Sequence, residues 1–226
     1  MSIYIGVNGI AKKVKQAYIG VNGNAQVIYK TGVVPDGYIP VEYIYNDHDT
    51  TNSIDTSIKP NTYTRIICKM AFGPNQTTDT YDRNIIYNYG ADMSIYEDNQ
   101  TEYRLGIRVG SQSIIEVVSE SSPFEIDLNR SANKDSYFNN TLIFNNTNTY
   151  TSSYSLVLFR DANLRDIRIY SCAIYESMLN GVLSRNYIPC IRISDGTVGM
   201  WESVTQTFYS GSNSTDHYSS GPVITS

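Results

Sequence analysis

Glu125 and Asp127 stand two positions apart in the run Glu125-Ile126-Asp127-Leu128-Asn129-Arg130. On a strand that spacing puts both carboxylates on one face. Two carboxyl groups about 5 Å apart are what a retaining glycosidase needs, one as nucleophile and one as general acid. An alternating ladder with a helper acid would close on a further Glu, but Asn129 and Arg130 stand there instead. The run therefore reads as a strand with two outward acids ahead of an Asn-Arg-Ser turn. Hydrolysis of a glycan would need another acid from elsewhere in the chain.

The other reactive side chains are scattered. In Asp47-His48-Asp49, adjacent residues of a strand would point to opposite faces, so the triplet alone cannot close a metal site and reads as a surface loop. Calcium takes several oxygen ligands, and no Asp/Asn cluster here has the spacing to supply them. His48 and His217 sit in polar stretches with no Ser or Cys nucleophile motif beside them, which argues against a catalytic triad. Cys68, Cys172 and Cys190 are odd in number and far apart in the chain. They suit neither a disulfide framework nor zinc-ligand spacing, and read as buried free thiols. Sequons such as those at Asn75, Asn99 and Asn139 are a by-product of Asn/Thr-rich loops. No catalytic residue, metal ligand or cofactor is expected.

Aromatic residues are the remaining means of recognition, because ring faces stack on sugars. Trp201 is the only tryptophan; its place in the run Gly199-Met200-Trp201 points to packing between sheets. Tyr87 with Tyr89, Tyr150 with Tyr154, or Tyr209 with Tyr218 are pairs suited to a binding rim, since tyrosine offers large area at low entropic cost. With 20 tyrosines in the chain, none is singled out as a ligand contact.

The elements that must carry these residues begin with a repeat. Tyr4-Ile5-Gly6-Val7-Asn8-Gly9 returns as Tyr18-Ile19-Gly20-Val21-Asn22-Gly23. Asn-Gly fits the two central positions of a type I′ turn, so each copy predicts a β-hairpin. A two-residue loop pairs Val7 with Ile10, Ile5 with Lys12 and Ile3 with Val14, and in the second copy gathers Ala17, Ile19, Val21 and Ile28. A lone hairpin is marginal in water. The apolar face of each must be met by the other hairpin, the adjoining domain or a second protein. Residues 1–30 hold Lys12, Lys13, Lys15 and Lys30 and no acid, whereas the rest of this −5 chain holds 13 basic and 22 acidic residues, a balance of −9. Four lysines on a hairpin form a solvated face, and no basic stripe with interleaved aromatics points to nucleic acid.

Residues 1–31 thus read as a tandem-hairpin module, 32–37 as a Gly/Pro linker, and 38–226 as one β domain. Strand-like runs fall at 41–45, 53–58, 63–72, 84–89, 103–109, 113–118, 124–128, 141–144, 155–159 and 164–175. The last lie near 187–193, 198–202 and 207–209. Many short strands between turn signals predict a β-sandwich. A short helical turn has room only at 176–184. Within 103–109, Leu105, Ile107 and Val109 share one face, with Arg104 and Arg108 on the other. Within 164–175, Ile167, Ile169, Ser171 and Ala173 oppose Arg168, Tyr170, Cys172 and Ile174, which reads as a strand covered on both faces. Apolar runs of transmembrane length are absent. Met1 enters a strand pattern at once with no basic or apolar leader, so a complete chain made in the cytosol is expected.

The tandem repeat ending in Ile28-Tyr29 resembles the short N-terminal module of tail and other virion proteins from phages and prophages of Firmicutes and gut bacteria. The remainder of the chain is similar to the concanavalin A-like, or laminin-G-like, lectin domain often joined to that module. Four stretches carry the likeness: Tyr38-Ile39-Pro40-Val41-Glu42-Tyr43-Ile44; the segment from Ile54-Asp55-Thr56 through Lys59-Pro60-Asn61 to Arg65; residues 164–175; and Tyr187-Ile188-Pro189-Cys190 with Asp195-Gly196-Thr197-Val198-Gly199-Met200-Trp201 after it. Phe208-Tyr209 and Gly221-Pro222 close it. The likeness departs at 46–52, and 73–160 matches in style only.

The resemblance implies an all-β, concanavalin A-like jelly-roll sandwich of two antiparallel sheets, preceded by two short hairpins. It implies a non-enzymatic virion component, in a tail, fibre, baseplate or capsid position, docked on other virion proteins through residues 1–31. Its lectin-like domain would serve adhesion to host-surface or other glycans, in many copies or as a homo-oligomer. Neither nucleic acid nor membrane insertion is expected. A capsid decoration or cement protein without sugar binding is the alternative reading. A glycan hydrolase is disfavoured by the incomplete acidic strand, and a secreted adhesin by the lack of an export signal.

Overall fold

The structure is a computed structural model. It describes residues 4–7, 10–13, 16–21, 24–30, 34–46, 52–73, 83–90, 92–97, 104–118, 122–159, 167–177, 181–211 and 218–224. Two hairpins come first: β1 (Tyr4–Val7) pairs with β2 (Ile10–Lys13), and β3 (Gln16–Val21) with β4 (Asn24–Lys30). Each is a two-stranded sheet of its own. Val7 opposes Ile10 and Ile5 opposes Lys12, the register a two-residue Asn-Gly loop dictates; the pairing of Ile3 with Val14 lies outside the described residues. The second copy starts likewise, Val21 opposing Asn24 and Ile19 opposing Gln26, then slips so that Ala17 opposes Tyr29. Ile28 is the extra residue of a bulge, and the expected apolar grouping of Ala17, Ile19, Val21 and Ile28 lies outside the described side chains.

The next strands are β5 (Tyr38–Pro40), β6 (Ile44–Tyr45), β7 (Ile54–Asp55), β8 (Arg65–Phe72), β9 (Arg83–Asn88), β10 (Met93–Glu97), β11 (Arg104–Val109) and β12 (Gln112–Val117). After them come β13 (Phe124–Leu128), β14 (Asp135–Phe138), β15 (Thr141–Asn145), β16 (Leu156–Leu158) and β17 (Ile167–Tyr175). β18 (Leu183–Arg192), β19 (Val198–Glu202), β20 (Thr207–Tyr209) and β21 (Ser219–Ser220) complete the set. They form two antiparallel sheets. The smaller has six strands in the order β12-β11-β10-β9-β16-β7. The larger has eleven; its main path is β15-β14-β13-β8-β17-β18-β19-β20, with β5 on β18 and β6 pairing both β17 and β21. The chain is all-β with no helix among the described residues, a jelly-roll-like sandwich of two sheets behind two hairpins, as expected.

One apolar core joins the sheets. The larger supplies Ile66, Cys68, Met70 and Phe72 from β8, Phe124, Ile126 and Leu128 from β13, and Ile167, Ile169, Cys172 and Ile174 from β17. The smaller answers with Ile86, Met93, Ile95, Leu105, Ile107, Val109, Leu156 and Leu158. Period-two alternation places these on inner faces. The expected split in β11 holds: Leu105, Ile107 and Val109 are buried, Arg108 is exposed and Arg104 half-buried.

In β17 the alternation breaks. Ile169 opposes Met70 and Ser171 opposes Lys69, so Tyr170 is an extra residue in a bulge. Ile167, Ile169, Cys172 and Ile174 therefore all face the core, and the outer side carries Arg168, Tyr170 and an exposed Ser171. The strand is covered on one face, not both. Of the span 176–184, where a helical turn has room, 178–180 lie outside the described residues; the Gly181 N–H donates to the Ser177 carbonyl at 3.1 Å, the four-residue reach of one such turn, and Leu183 and Ser184 already belong to β18. β10, β14 and β21 are short strands whose polar residues hide the period. β9 and β10 meet through a bulge next to Tyr96, whose ring lies over Gly106 so closely that a Cβ there would sit 2.1 Å from it.

Candidate functional site

Asp127 is 2% exposed, and both its oxygens are occupied. Arg65 donates from Nε to Oδ1 and from Nη2 to Oδ2, each at 2.7 Å, and Arg130 donates from Nε to Oδ2 at 2.6 Å. The Arg65 guanidinium is held above its ordinary pKa by its hydrogen bonds to Asp127, against the opposing effect of burial. Arg130 is anchored in turn by Asn140 Oδ1 at 2.7 Å. Glu125, on the same outer face, is exposed and lies across the strand pair from Lys69. Asn129 stands where the third acid would be. It is fully buried at φ 54°, a left-handed conformation that asparagine tolerates better than glutamate, and its Nδ2 donates to the Thr64 carbonyl at 2.8 Å. The acidic run is thus a sheet-bracing ion-pair cluster with one exposed carboxylate beside it.

Trp201 does not pack between the sheets. Its neighbours Met200 and Glu202 are the buried, inward residues, and Trp201 is half-buried on the opposite side of β19. There it stacks on Tyr38 (centroids 5.1 Å apart), which also meets Phe208 at 5.2 Å. Gly199 leaves the space Phe208 fills: a Cβ would fall 2.8 Å from that ring. Arg192 covers Phe208 at 4.9 Å and pairs with Asp195 at 2.6 Å, so the patch is closed by its own residues.

The tyrosine pairs are redistributed. Tyr218 is core, its ring on Phe159 and its hydroxyl donating to the Asn52 carbonyl. Tyr209 packs edge-on against the buried Tyr187. Tyr150 is largely buried; burial pushes its phenol pKa up, and the Asn129 side chain faces its hydroxyl. Tyr87 and Tyr89 do meet, edge to face at 6.1 Å, and Tyr154 joins them with its ring 5.7 Å from Tyr89. Tyr89 is 58% exposed and Tyr154 54%. This trio is the candidate ligand surface.

Its placement is set by the fold. Ile86 points into the core, so Tyr87 faces out from β9, Asn88 turns in, and Tyr89 faces out again at the strand end. Asn88 then ties three pieces together. Its Oδ1 accepts the Met93 N–H at 2.8 Å, and its Nδ2 donates to Ser152 Oγ at 2.6 Å and to Asp92 Oδ2 at 3.3 Å. Ser152 Oγ accepts the Tyr154 N–H at 3.1 Å, and the Ser152 N–H is bonded to the Pro60 carbonyl. A buried amide thus fixes the loop that presents Tyr154 against the hairpin that presents Tyr89. The arrangement offers exposed ring faces beside polar groups, which suits stacking on a sugar ring.

The remaining candidates separate. Cys68 and Cys172 oppose each other directly across β8 and β17, fully buried as free thiols. Burial pushes the Cys190 thiol up to about 12, and burial with the neighbouring Cys172 raises Cys68 well above its usual value. Asp47-His48-Asp49, His217, Asn75 and Asn99 lie outside the described residues. Asn139 is exposed in the β14–β15 turn, where its Oδ1 accepts the Glu125 N–H at 2.9 Å. Among the described residues no three His, Cys, Asp or Glu side chains converge as metal ligands. The Tyr154 contribution and the Asn88–Ser152 link are not visible in sequence, because they join segments 64 positions apart.

No protein-family model matches the chain, and no curated protein matches it.

Proposed function

We propose that the protein is a non-enzymatic structural component of a bacteriophage or prophage virion, held in the particle by its tandem hairpins and displaying a sandwich that adheres to host-surface or other glycans. The observation that carries the adhesion reading is the Tyr87–Tyr89–Tyr154 cluster, where two exposed rings are set by a buried Asn88 tie rather than left on mobile tips. A surface fixed before binding loses less entropy when it engages a ligand. Binding at one such site is weak, and many copies on a particle supply avidity.

The non-enzymatic reading is supported at Asp127. A carboxylate bound by two arginines is a poor nucleophile or acid, so Asp127 does not serve Glu125 as a catalytic partner on their strand. The docking reading is supported by the hairpins, each a separate two-stranded sheet of a kind that is marginal alone.

A glycan array with the full chain, then titration of the best ligand, tests the adhesion reading. Binding of host-surface glycans, lost on joint Tyr89→Ala and Tyr154→Ala substitution without change in melting temperature, is the expected result. Silence on every glycan would leave the decoration or cement role instead. Release of reducing ends, abolished by Glu125→Gln, would overturn the non-enzymatic reading.

A further inference from the structure

Cys68 on β8 and Cys172 on β17 are Cα partners in an antiparallel pair, and both are fully buried free thiols. The bulge at Tyr170 sets this facing. Before it Ile169 opposes Met70; after it Ser171 opposes Lys69 and Cys172 opposes Cys68. Without the extra residue the first register would run on, setting Cys172 against Ile67 and Cys68 against Ser171. The insertion therefore brings the two sulfurs together on the inner face, within the apolar core.

Residues directly opposite on antiparallel strands have Cα atoms about 4.5–5.5 Å apart. A disulfide spans Cα separations of about 4.4–6.8 Å, so the strands are already set for one. The Cys172 side chain hydrogen-bonds that of Cys68. Cys190 supplies the contrast. It is buried on β18, where its Cα partners are Gly199 and Pro40.

We infer that Cys68 and Cys172 form a disulfide site, held as two thiols in a reducing compartment and joined as a cross-strand disulfide in an oxidising one. The oxidant is a small-molecule disulfide of the glutathione class. One cysteine thiolate attacks a sulfur of oxidised glutathione and displaces one glutathione thiolate. The other cysteine thiolate attacks the protein sulfur of this mixed disulfide and displaces the second. Two S–H bonds give way to one S–S bond, and oxidised glutathione leaves as two reduced molecules carrying the two protons. The attack needs a thiolate and access, which burial denies in the closed sandwich. The bond therefore forms while the strands are apart, during folding or opening. It would join adjacent strands of the larger sheet and close a loop that holds β9, β10, β11, β12 and β16, five of the six strands of the smaller sheet. Closing so long a loop removes entropy from the unfolded chain. The inference depends on neither the virion reading nor the tyrosine cluster.

The test holds the full chain in urea near its unfolding midpoint with oxidised and reduced glutathione at graded ratios. The urea is then diluted away, the remaining thiols are trapped with N-ethylmaleimide in fresh denaturant, and the peptides are mapped by mass spectrometry. At oxidising ratios one linked pair containing Cys68 and Cys172 is expected, with Cys190 alkylated. The linked chain should melt about 5–10 °C above the reduced one, a gain that dithiothreitol removes. Cys190→Ser should form the link as the parent does. Mapping the parent chain decides the question without a variant at either core position. The inference is overturned if all three cysteines are alkylated at every ratio, if they end as mixed disulfides with glutathione, if the link involves Cys190, or if the linked chain melts no higher than the reduced one.

Discussion

Two carboxylates on one strand face different fates, and the difference is measurable. Glu125 is exposed, so Glu125→Gln is expected to shift stability by no more than about 0.5 kcal/mol. Asp127→Asn removes the charge that three donor bonds converge on and is expected to cost about 2–3 kcal/mol by urea unfolding. The loss stays near that size because Arg65 and Arg130 are 22% and 32% exposed and can regain water. The alternation is legible from the residues alone, but the arginines that neutralise Asp127 are not, since Arg65 arrives from a strand 62 positions away. The thiols make the same point. Buried free thiols are what the spacing suggests, whereas the facing of Cys68 and Cys172 appears only once β8 and β17 pair. All three cysteines should resist Ellman's reagent at neutral pH in the folded chain and react on unfolding, because burial raises Cys190 to about 12 and Cys68 well above its usual value.

Within elements, bulges and turns decide what pattern alone cannot. Period-two spacing groups Ser171 with Ile167 and Ile169; one inserted residue, Tyr170, reverses the second half of β17 and turns Cys172 and Ile174 into the core. Strand β10 is hidden from the alternation because Ser94 and Glu97 are polar yet buried. Tyr96 and Gly106 oppose each other across β10 and β11, with the ring occupying the space a side chain would need. Gly106→Ala should cost about 1–3 kcal/mol by displacing that ring, read as a lowered melting temperature. The β19–β20 turn is built on Glu202. Burial opposes its charge, but bonds from the Thr205 hydroxyl and from the N–H groups of Asn186, Val204 and Thr205 outweigh it and hold the carboxyl below its ordinary value of 4.5. A depressed folded pKa stabilises above the unfolded value and loses that contribution as pH falls through the folded one. Unfolding free energy should therefore be level near neutrality and decline below about pH 4.5, with a shallower decline in Glu202→Gln.

Across the whole molecule, the sandwich places exposed rings at the smaller sheet and an ion-pair cluster round Asp127 on the larger. The fold class is legible because short alternating runs between turn signals leave few other architectures, and the Asn-Gly repeats announce their hairpins. The tyrosine cluster is only half legible: Tyr87 and Tyr89 share a strand, whereas Tyr154 is brought in by the Asn88 tie. The hairpins, paired only within themselves, are the part proposed to hold the protein in the particle. The most direct measurement is to supply full-length chain and a chain lacking residues 1–31 to the same assembling virions and to quantify each in purified particles. The full chain should be incorporated and the shortened chain excluded, while the melting temperature and glycan binding of the shortened chain persist. Equal loading of the two would contradict the docking role of the hairpins.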